Sequence, residues 1–388
     1  MNGNTFILNR ISIHAWLLLL FAVYLILGWT GYGTDYDTYA MIRSGRDFWL
    51  NGFYHYSRGP GNLIPELVIG GASIIGGHYL TNLISSILSI ATLLLMYRLL
   101  QKAFTEEQSV FITLMVALNP WYVIASSSSM DYVYSLFFGL AGLTFMMRNQ
   151  LIPATVLFAL TISCRLTFLI LVGIIYLYYL YVNYNKKNFV GIRNIFISGI
   201  TLLILVVILF LPSWYAADRT FKFLEYGIGD WTMIEFLARI IYKNIYLVSP
   251  LILAVVGILA VKGIIQKAFS FQVTPALIAG IAMITIMELL FIKIPCEIPY
   301  LMPPFMIAVP VLTWIGKPQK AVMTAMVVLT ILFSFVFNPD FLDRKYNEDR
   351  TEAISAEVGL FIRNGVVIDD INNRDEAKDR HWEDTLKP

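Results

Sequence analysis

The sequence is poor in charge. Its 28 basic and 26 acidic residues make up 14% of the 388 residues, against roughly 25% in an ordinary soluble protein. Hydrophobic residues make up 58%, and a soluble globule of this length would expose large apolar patches if it held so many. This balance excludes a soluble enzyme, a disordered chain and a nucleic-acid-binding protein. It predicts a polytopic membrane protein.

Cysteine and histidine are also scarce. Cys164 and Cys296 are the two cysteines, too few for a disulfide framework. The chain contains no HExxH or CxxC pattern, so no metal site and no cofactor are predicted, although a divalent metal stays open. The apolar run from Ala15 to Gly33 is long enough to span and has no small-residue cleavage site, so no cleavable leader is predicted.

Long apolar runs dominate the chain instead. Because a span needs about 20 mostly apolar residues, we predict an all-α polytopic membrane protein with about 11 transmembrane helices. They lie near 15–33, 79–98, 109–125, 131–147, 151–164, 166–185, 194–214, 244–262, 274–293, 300–316 and 320–338. The shorter run 62–77 is read as interfacial or partly inserted. That choice puts the basic clusters inside, with the N-terminus cytoplasmic and the C-terminus outside.

The charges divide the chain into two parts. Residues 339–388 carry 21 of the charged residues and are predicted to form a short outer tail after a transmembrane domain, 1–338. In this orientation, 11 of the 13 carboxylates of the transmembrane domain lie on or near the outer side. Acids contribute little to topology, so their placement indicates polar chemistry at the outer face.

The first outer loop, 34–78, begins with two acids, Asp35 and Asp37. Apolar and charged residues then alternate at helical spacing, which predicts a short amphipathic helix on the membrane surface. A carboxylate at the mouth of the first span lies between water and hydrocarbon, where its pKa is tunable and suits a general base. The alternative is a solvated acid that caps the helix.

Two arginines are candidates for phosphate binding. Arg58 precedes a glycine-flanked turn that could fix its guanidinium for bidentate contact; the alternative is contact with a lipid headgroup. Arg165 lies between two apolar runs, where an unpaired arginine costs about 2.5 kcal/mol or more. Its alternatives are snorkelling to the headgroups or a structural pair with Asp131.

An ordered series of motifs resembles one family. They are Asp35-x-x-x-Tyr39, Arg46-Asp47, Gly52-Phe53-Tyr54, Ser57-Arg58-Gly59-Pro60-Gly61, Asn119-Pro120, Ser126 to Asp131, Arg165, and Glu297-x-x-Tyr300-Leu301-x-Pro303. The series resembles the polytopic glycosyltransferases of the GT-C fold, in the branch of protein O-mannosyltransferases and lipid A aminoarabinose transferases. Those enzymes take a sugar from a polyprenyl-phosphate carrier at the outer or lumenal leaflet.

The resemblance implies a function and a set of site residues. The chain would transfer a sugar from a polyprenyl-phosphate donor to a lipid, glycan or protein acceptor at the outer face of a bacterial or archaeal plasma membrane. Asp35 or Asp37 would act as the base; Tyr36 separates the two. Arg58, Arg165 and Tyr300 would bind the donor phosphate. Four residues would support them: Tyr39, Arg46, Asp131 and Glu297.

Two other functions stay open. A polymerase or ligase of lipid-linked polysaccharides would also work at the outer face, but such proteins usually carry key arginines in a large later loop, and here 215–243 is short. A lipid-linked sugar transporter would show inverted repeats and broken helices at mid-membrane in both halves. The sequence shows no such internal symmetry, and its acids cluster at one face.

Overall fold

The structure, a computed structural model, describes residues 12–220, 233–265, 274–293, 298–346 and 353–386. Within these ranges the chain forms helices almost throughout. They are α1 (Ile13–Gly28), α2 (Tyr36–Asn51), α3 (Leu63–Leu100), α4 (Glu106–Ala117), α5 (Pro120–Ser126), α6 (Tyr132–Met147), α7 (Leu151–Cys164), α8 (Phe168–Asn185), α9 (Phe189–Ala216), α10 (Met233–Val248), α11 (Pro250–Ile265), α12 (Pro275–Lys293), α13 (Met302–Gly316), α14 (Lys320–Ile331), α15 (Val366–Asn372) and α16 (Arg374–Leu386).

The helical membrane class is confirmed, and each of the 11 predicted regions overlaps a helix. The number of spans is not confirmed. Among the described residues, five helices are long and apolar enough to cross a membrane, or up to seven if each of two sharply bent pairs is one span. The bends lie between α4 and α5 and between α10 and α11. Four further apolar helices are shorter, and the predicted orientation of the termini stays a prediction.

The run 62–77 and the span that follows it both lie within α3, as two helical segments joined at a kink where Gly76 and Gly77 have non-helical backbone angles. Gly77 has φ of +59°, a left-handed conformation that glycine adopts without the strain a Cβ would bring. The first outer loop, predicted as 34–78, therefore folds into two helices, α2 and the first half of α3.

The predicted amphipathic helix is α2, and it packs against α3 without intervening side chains. Gly45 and Gly70 lie at the crossing, and a Cβ at either position would overlap backbone atoms of the other helix. Two side chains of α2, Met41 and Ile42, are buried, whereas a third, Trp49, is 56% exposed. This close approach fixes the position of α2 relative to the first half of α3.

The tail contains a β-hairpin that the all-α prediction omits. A π-helical turn, Leu332–Val336, leads from α14 into β1 (Phe337–Tyr346), which pairs antiparallel with β2 (Ala353–Asn364). Pro339 and four charged residues weaken the strand pattern of β1, since proline and acids are depleted in strands. After the hairpin, α15 packs on α5, and α16 packs on α2.

Candidate active site

The centre of the candidate site is the carboxylate of Asp131, which lies just before α6 and is fully buried. Arg58 Nη2 donates to its Oδ2 at 2.8 Å, and Arg165 Nη2 donates to its Oδ1 at 2.8 Å. Asn62 Nδ2 donates to Oδ2 at 3.0 Å. The two guanidiniums balance the charge of this buried carboxylate. One carboxylate therefore joins the two arginines that the sequence analysis treats separately.

The two candidate bases have different surroundings. Asp35 is the N-cap of α2, and its Oδ1 accepts a hydrogen bond of 3.0 Å from the backbone N–H of Asp37. The carboxylate of Asp37 forms an ion pair with Arg58 Nη1. The capping role that the sequence analysis offers as an alternative is present at Asp35. Asp37 instead lies against the arginine that is predicted to bind phosphate.

The loop that carries Arg58 is fixed by a second buried carboxylate, Glu66. Its Oε1 accepts from Ser57 N–H at 3.0 Å, Ser57 Oγ at 2.5 Å and Asn62 N–H at 3.2 Å, and its Oε2 accepts from Tyr54 at 2.7 Å. The donors lie on both sides of Arg58 in the chain. Glu66 is on the first turn of α3, so the close packing of α2 and α3 holds the arginine loop in place.

Arg165 lies between two aromatic rings at the junction of α7 and α8. Its guanidinium carbon is 3.4 Å from the ring centroid of Tyr132 and 4.7 Å from that of Tyr300. Its Nε is buried and has no hydrogen-bond partner among the described residues. An unsatisfied buried donor costs about 1–3 kcal/mol, and more when charged. The side chain is therefore fixed by stacking and by Asp131, and one of its buried donors is unsatisfied.

Two adjoining recesses open beside Arg165. One, with a cavity volume of about 10 Å³, is lined by apolar residues and by Tyr132, Ser135, Arg165, Thr167 and Tyr300. The other, also of about 10 Å³, is lined by Arg58, Gly59, Pro60, Asn62, Arg165, Leu166, Thr167 and Tyr300. The pair combines an apolar side with a side that carries both guanidiniums. That combination suits an amphiphilic anion such as a lipid phosphate.

The structure brings together most of the predicted residues. Asp35, Asp37, Arg58, Asp131, Arg165 and Tyr300 lie along one connected set of contacts. Tyr39 is buried and donates to the carbonyl of Gly33 at 3.2 Å, so it holds the turn before α2. Arg46 lies on α2, close enough to Tyr32 for its charge to act on that phenol. Glu297 lies outside the described residues.

Three residues of the site were missed from the sequence: Asn62, Glu66 and Tyr132. Glu66 lies inside the apolar run 62–77, and an acid in such a run is a signal of a buried role. Asn62 and Tyr132 gave no signal, because their importance depends on contacts with residues distant in the chain. Among the described residues, no group of three or more side chains could hold a metal ion.

Comparison with known proteins supports the architecture. No family model and no curated protein matches the sequence. The fold is similar to the crystal structure of ArnT from Cupriavidus metallidurans in the apo state, with a TM-score of 0.54 and 14% sequence identity. The match covers 81% of this chain and 62% of that chain, so this chain spans less than two thirds of the length of ArnT. At this identity the likeness shows the fold alone, and the fold is that of an integral membrane protein of the GT-C type.

Proposed function

We propose that this protein is a glycosyltransferase that moves a sugar from a polyprenyl-phosphate carrier to an acceptor hydroxyl at the outer face of the membrane. The observation that carries the proposal is the Arg58–Asp131–Arg165 cluster, built around the buried carboxylate of Asp131, beside a partly apolar recess. An apolar wall suits a polyprenyl chain, and two fixed guanidiniums suit its phosphate.

The arrangement accounts for stabilisation of the leaving group. As the bond from the sugar to the phosphate breaks, negative charge grows on the phosphate oxygens. Guanidiniums fixed in advance stabilise that charge more in the transition state than in the ground state. A phosphate leaving group needs no general acid, unlike the two-carboxylate scheme of glycosidases. Direct displacement by the acceptor inverts the anomeric carbon.

We assign the base to Asp35 and a positioning role to Asp37. Arg58 already occupies the carboxylate of Asp37, so an acceptor hydroxyl would compete with a guanidinium there. The carboxylate of Asp35 is oriented by the backbone N–H of Asp37 at the start of α2. In this scheme Asp35 removes the proton of the acceptor hydroxyl while Asp37 and Asp131 hold Arg58 from two sides.

The similarity in fold is consistent with this chemistry. ArnT is a lipid A aminoarabinose transferase. The sugar and the acceptor of ArnT are not carried over to the present protein. The proposal includes the orientation and domains predicted from the sequence: a transmembrane domain over 1–338, an outer tail over 339–388, a cytoplasmic N-terminus, and a bacterial or archaeal plasma membrane. The acceptor is a lipid, a glycan or a protein.

The test is a transfer assay with purified protein. Radiolabelled polyprenyl-phosphate sugars are supplied with membrane acceptors, and wild type is compared with Arg165→Gln, which removes the charge and keeps a shorter polar side chain with two N–H donors. We expect wild-type transfer from at least one carrier and a large loss in the variant. Arg363→Gln, on β2, is the matched control. Failure of wild type with every carrier would remove the enzyme proposal, and carrier movement across vesicles without transfer would favour a transporter.

A further inference from the structure

The acidic tail inserts one arginine into the outer end of the helical domain. Arg374, the first residue of α16, is 1% exposed. Its Nη1 donates to the carbonyls of Leu27 at 3.1 Å and Ser127 at 2.9 Å, and its Nη2 donates to Ser127 Oγ at 3.1 Å. The guanidinium therefore joins the last turn of α1 to the segment just after α5, two elements about 100 residues apart in the chain.

A carboxylate one helical turn earlier completes the contact. Asp370 Oδ2 accepts from Arg374 Nε at 2.9 Å, and Asp370 Oδ1 accepts from Thr34 Oγ1 at 2.6 Å. Thr34 directly precedes Asp35, and Ser127 lies four residues before Asp131. The Asp370–Arg374 pair thus contacts both segments that deliver acids to the candidate site.

The same helix covers the start of α2. The ring of His381, on α16, lies 5.3 Å from the ring of Tyr36 and 5.6 Å from that of Tyr39, between centroids. Tyr36 separates Asp35 from Asp37. The tail therefore contacts the turn that carries Asp35 in two ways. Asp370 binds Thr34, and His381 packs against Tyr36 and Tyr39.

We propose that Asp370 and Arg374 are positioning residues that fix the segments carrying Asp35 and Asp131. The catalytic consequence rests on the proposed function, whereas the positioning itself does not. Arginine suits this task because its planar guanidinium donates in several fixed directions at once. The segment after the hairpin would then contribute geometry to the site, since a displacement of 1 Å can cost about 10²-fold in rate.

The first arm of the test measures positioning without activity. Hydrogen–deuterium exchange compares wild type with Arg374→Ala, Arg374→Lys and Asp370→Asn. We expect faster exchange at 29–37 and 127–131 in Arg374→Ala, with 353–364 unchanged. Arg374→Lys keeps the charge but has fewer N–H donors, so its exchange rates should lie between those of wild type and Arg374→Ala. Arg380→Ala is the matched control, because Arg380 is on the same helix, its side chain is 48% exposed, and it forms a long ion pair of 3.8 Å with Glu376.

The second arm measures transfer. We expect kcat to fall roughly 10²-fold in Arg374→Ala, with little change in KM for the carrier and partial recovery in Arg374→Lys. Wild-type exchange rates at 29–37 and 127–131 in both Arg374→Ala and Asp370→Asn would overturn the proposal. If Arg374→Ala unfolds globally, Arg374→Lys and Asp370→Asn decide by the same local comparison. If wild type transfers no sugar, the proposed function fails, and the exchange arm still decides the positioning role.

Discussion

The carboxylate of Asp37 is ion-paired with the guanidinium of Arg58. A candidate base and a candidate phosphate-binding residue are therefore in direct contact. Arg58 is simultaneously bound to Asp131, so its position is set from two sides. Loss of any one of these three side chains should displace the other two.

Substitution of the two first acids should separate their roles. Asp35→Asn should lower transfer by about 10²–10⁴-fold, the usual contribution of a general base, with little change in KM for the carrier. Asp37→Asn should lower it less and raise that KM, because Arg58 loses one of two partners. Steady-state kinetics on both variants give the answer. A greater kcat loss in Asp37→Asn than in Asp35→Asn would transfer the base role to Asp37.

Asp131→Asn should destabilise the fold strongly. It leaves the buried guanidinium of Arg165 without its anion and Arg58 with Asp37 alone, and breaking a buried pair typically costs about 3–5 kcal/mol. Thermal unfolding in detergent measures the effect. Asp47→Asn is the control, since Asp47 is 33% exposed and near Arg43 and His55, where such pairs contribute about 0–1 kcal/mol. Equal melting temperatures of the two variants would contradict the central role of Asp131.

Tyr300 should act through its ring. The ring lies 4.7 Å from the guanidinium carbon of Arg165, and such contacts contribute about 0.5–2 kcal/mol. Tyr300→Phe should keep near wild-type transfer, whereas Tyr300→Ala should lose it several-fold and raise the carrier KM. If Tyr300→Phe is as impaired as Tyr300→Ala, the hydroxyl group is the part that binds phosphate.

Glu66 should be needed for both stability and transfer. In Glu66→Leu, the amides of Ser57 and Asn62 and the Tyr54 hydroxyl lose their acceptor, at about 1–3 kcal/mol for each buried group. Glu66→Gln keeps an oxygen for the two amides and should be milder. Melting temperature and transfer are measured together, with Glu107→Gln as the control because Glu107 pairs with Lys320 near the surface. A stable but inactive Glu66→Leu protein would assign Glu66 a direct role in catalysis.

Some residues of the site were predictable because the neighbouring residues in the sequence indicate their environment. Asp35 stands at the end of an apolar span, and Arg165 stands between two apolar runs, so burial and function could be argued for each alone. Tyr132 and Asn62 could not be found this way, since each matters only through a partner, Arg165 or Asp131, many residues away. The hairpin was missed because Pro339 and the charges of β1 obscure its pattern.

The sequence by itself determined the solvent of this protein and the candidate polar residues. The scarcity of charge and the long apolar runs require a lipid environment, because so much apolar surface is unfavourable in water whatever the fold. Only the tertiary structure decided which polar groups meet. Asp131 joins Arg58 to Arg165, and Arg374 reaches Ser127 across most of the chain, because helix packing, including the glycine contact of α2 with α3, brings these distant segments to one end of the fold.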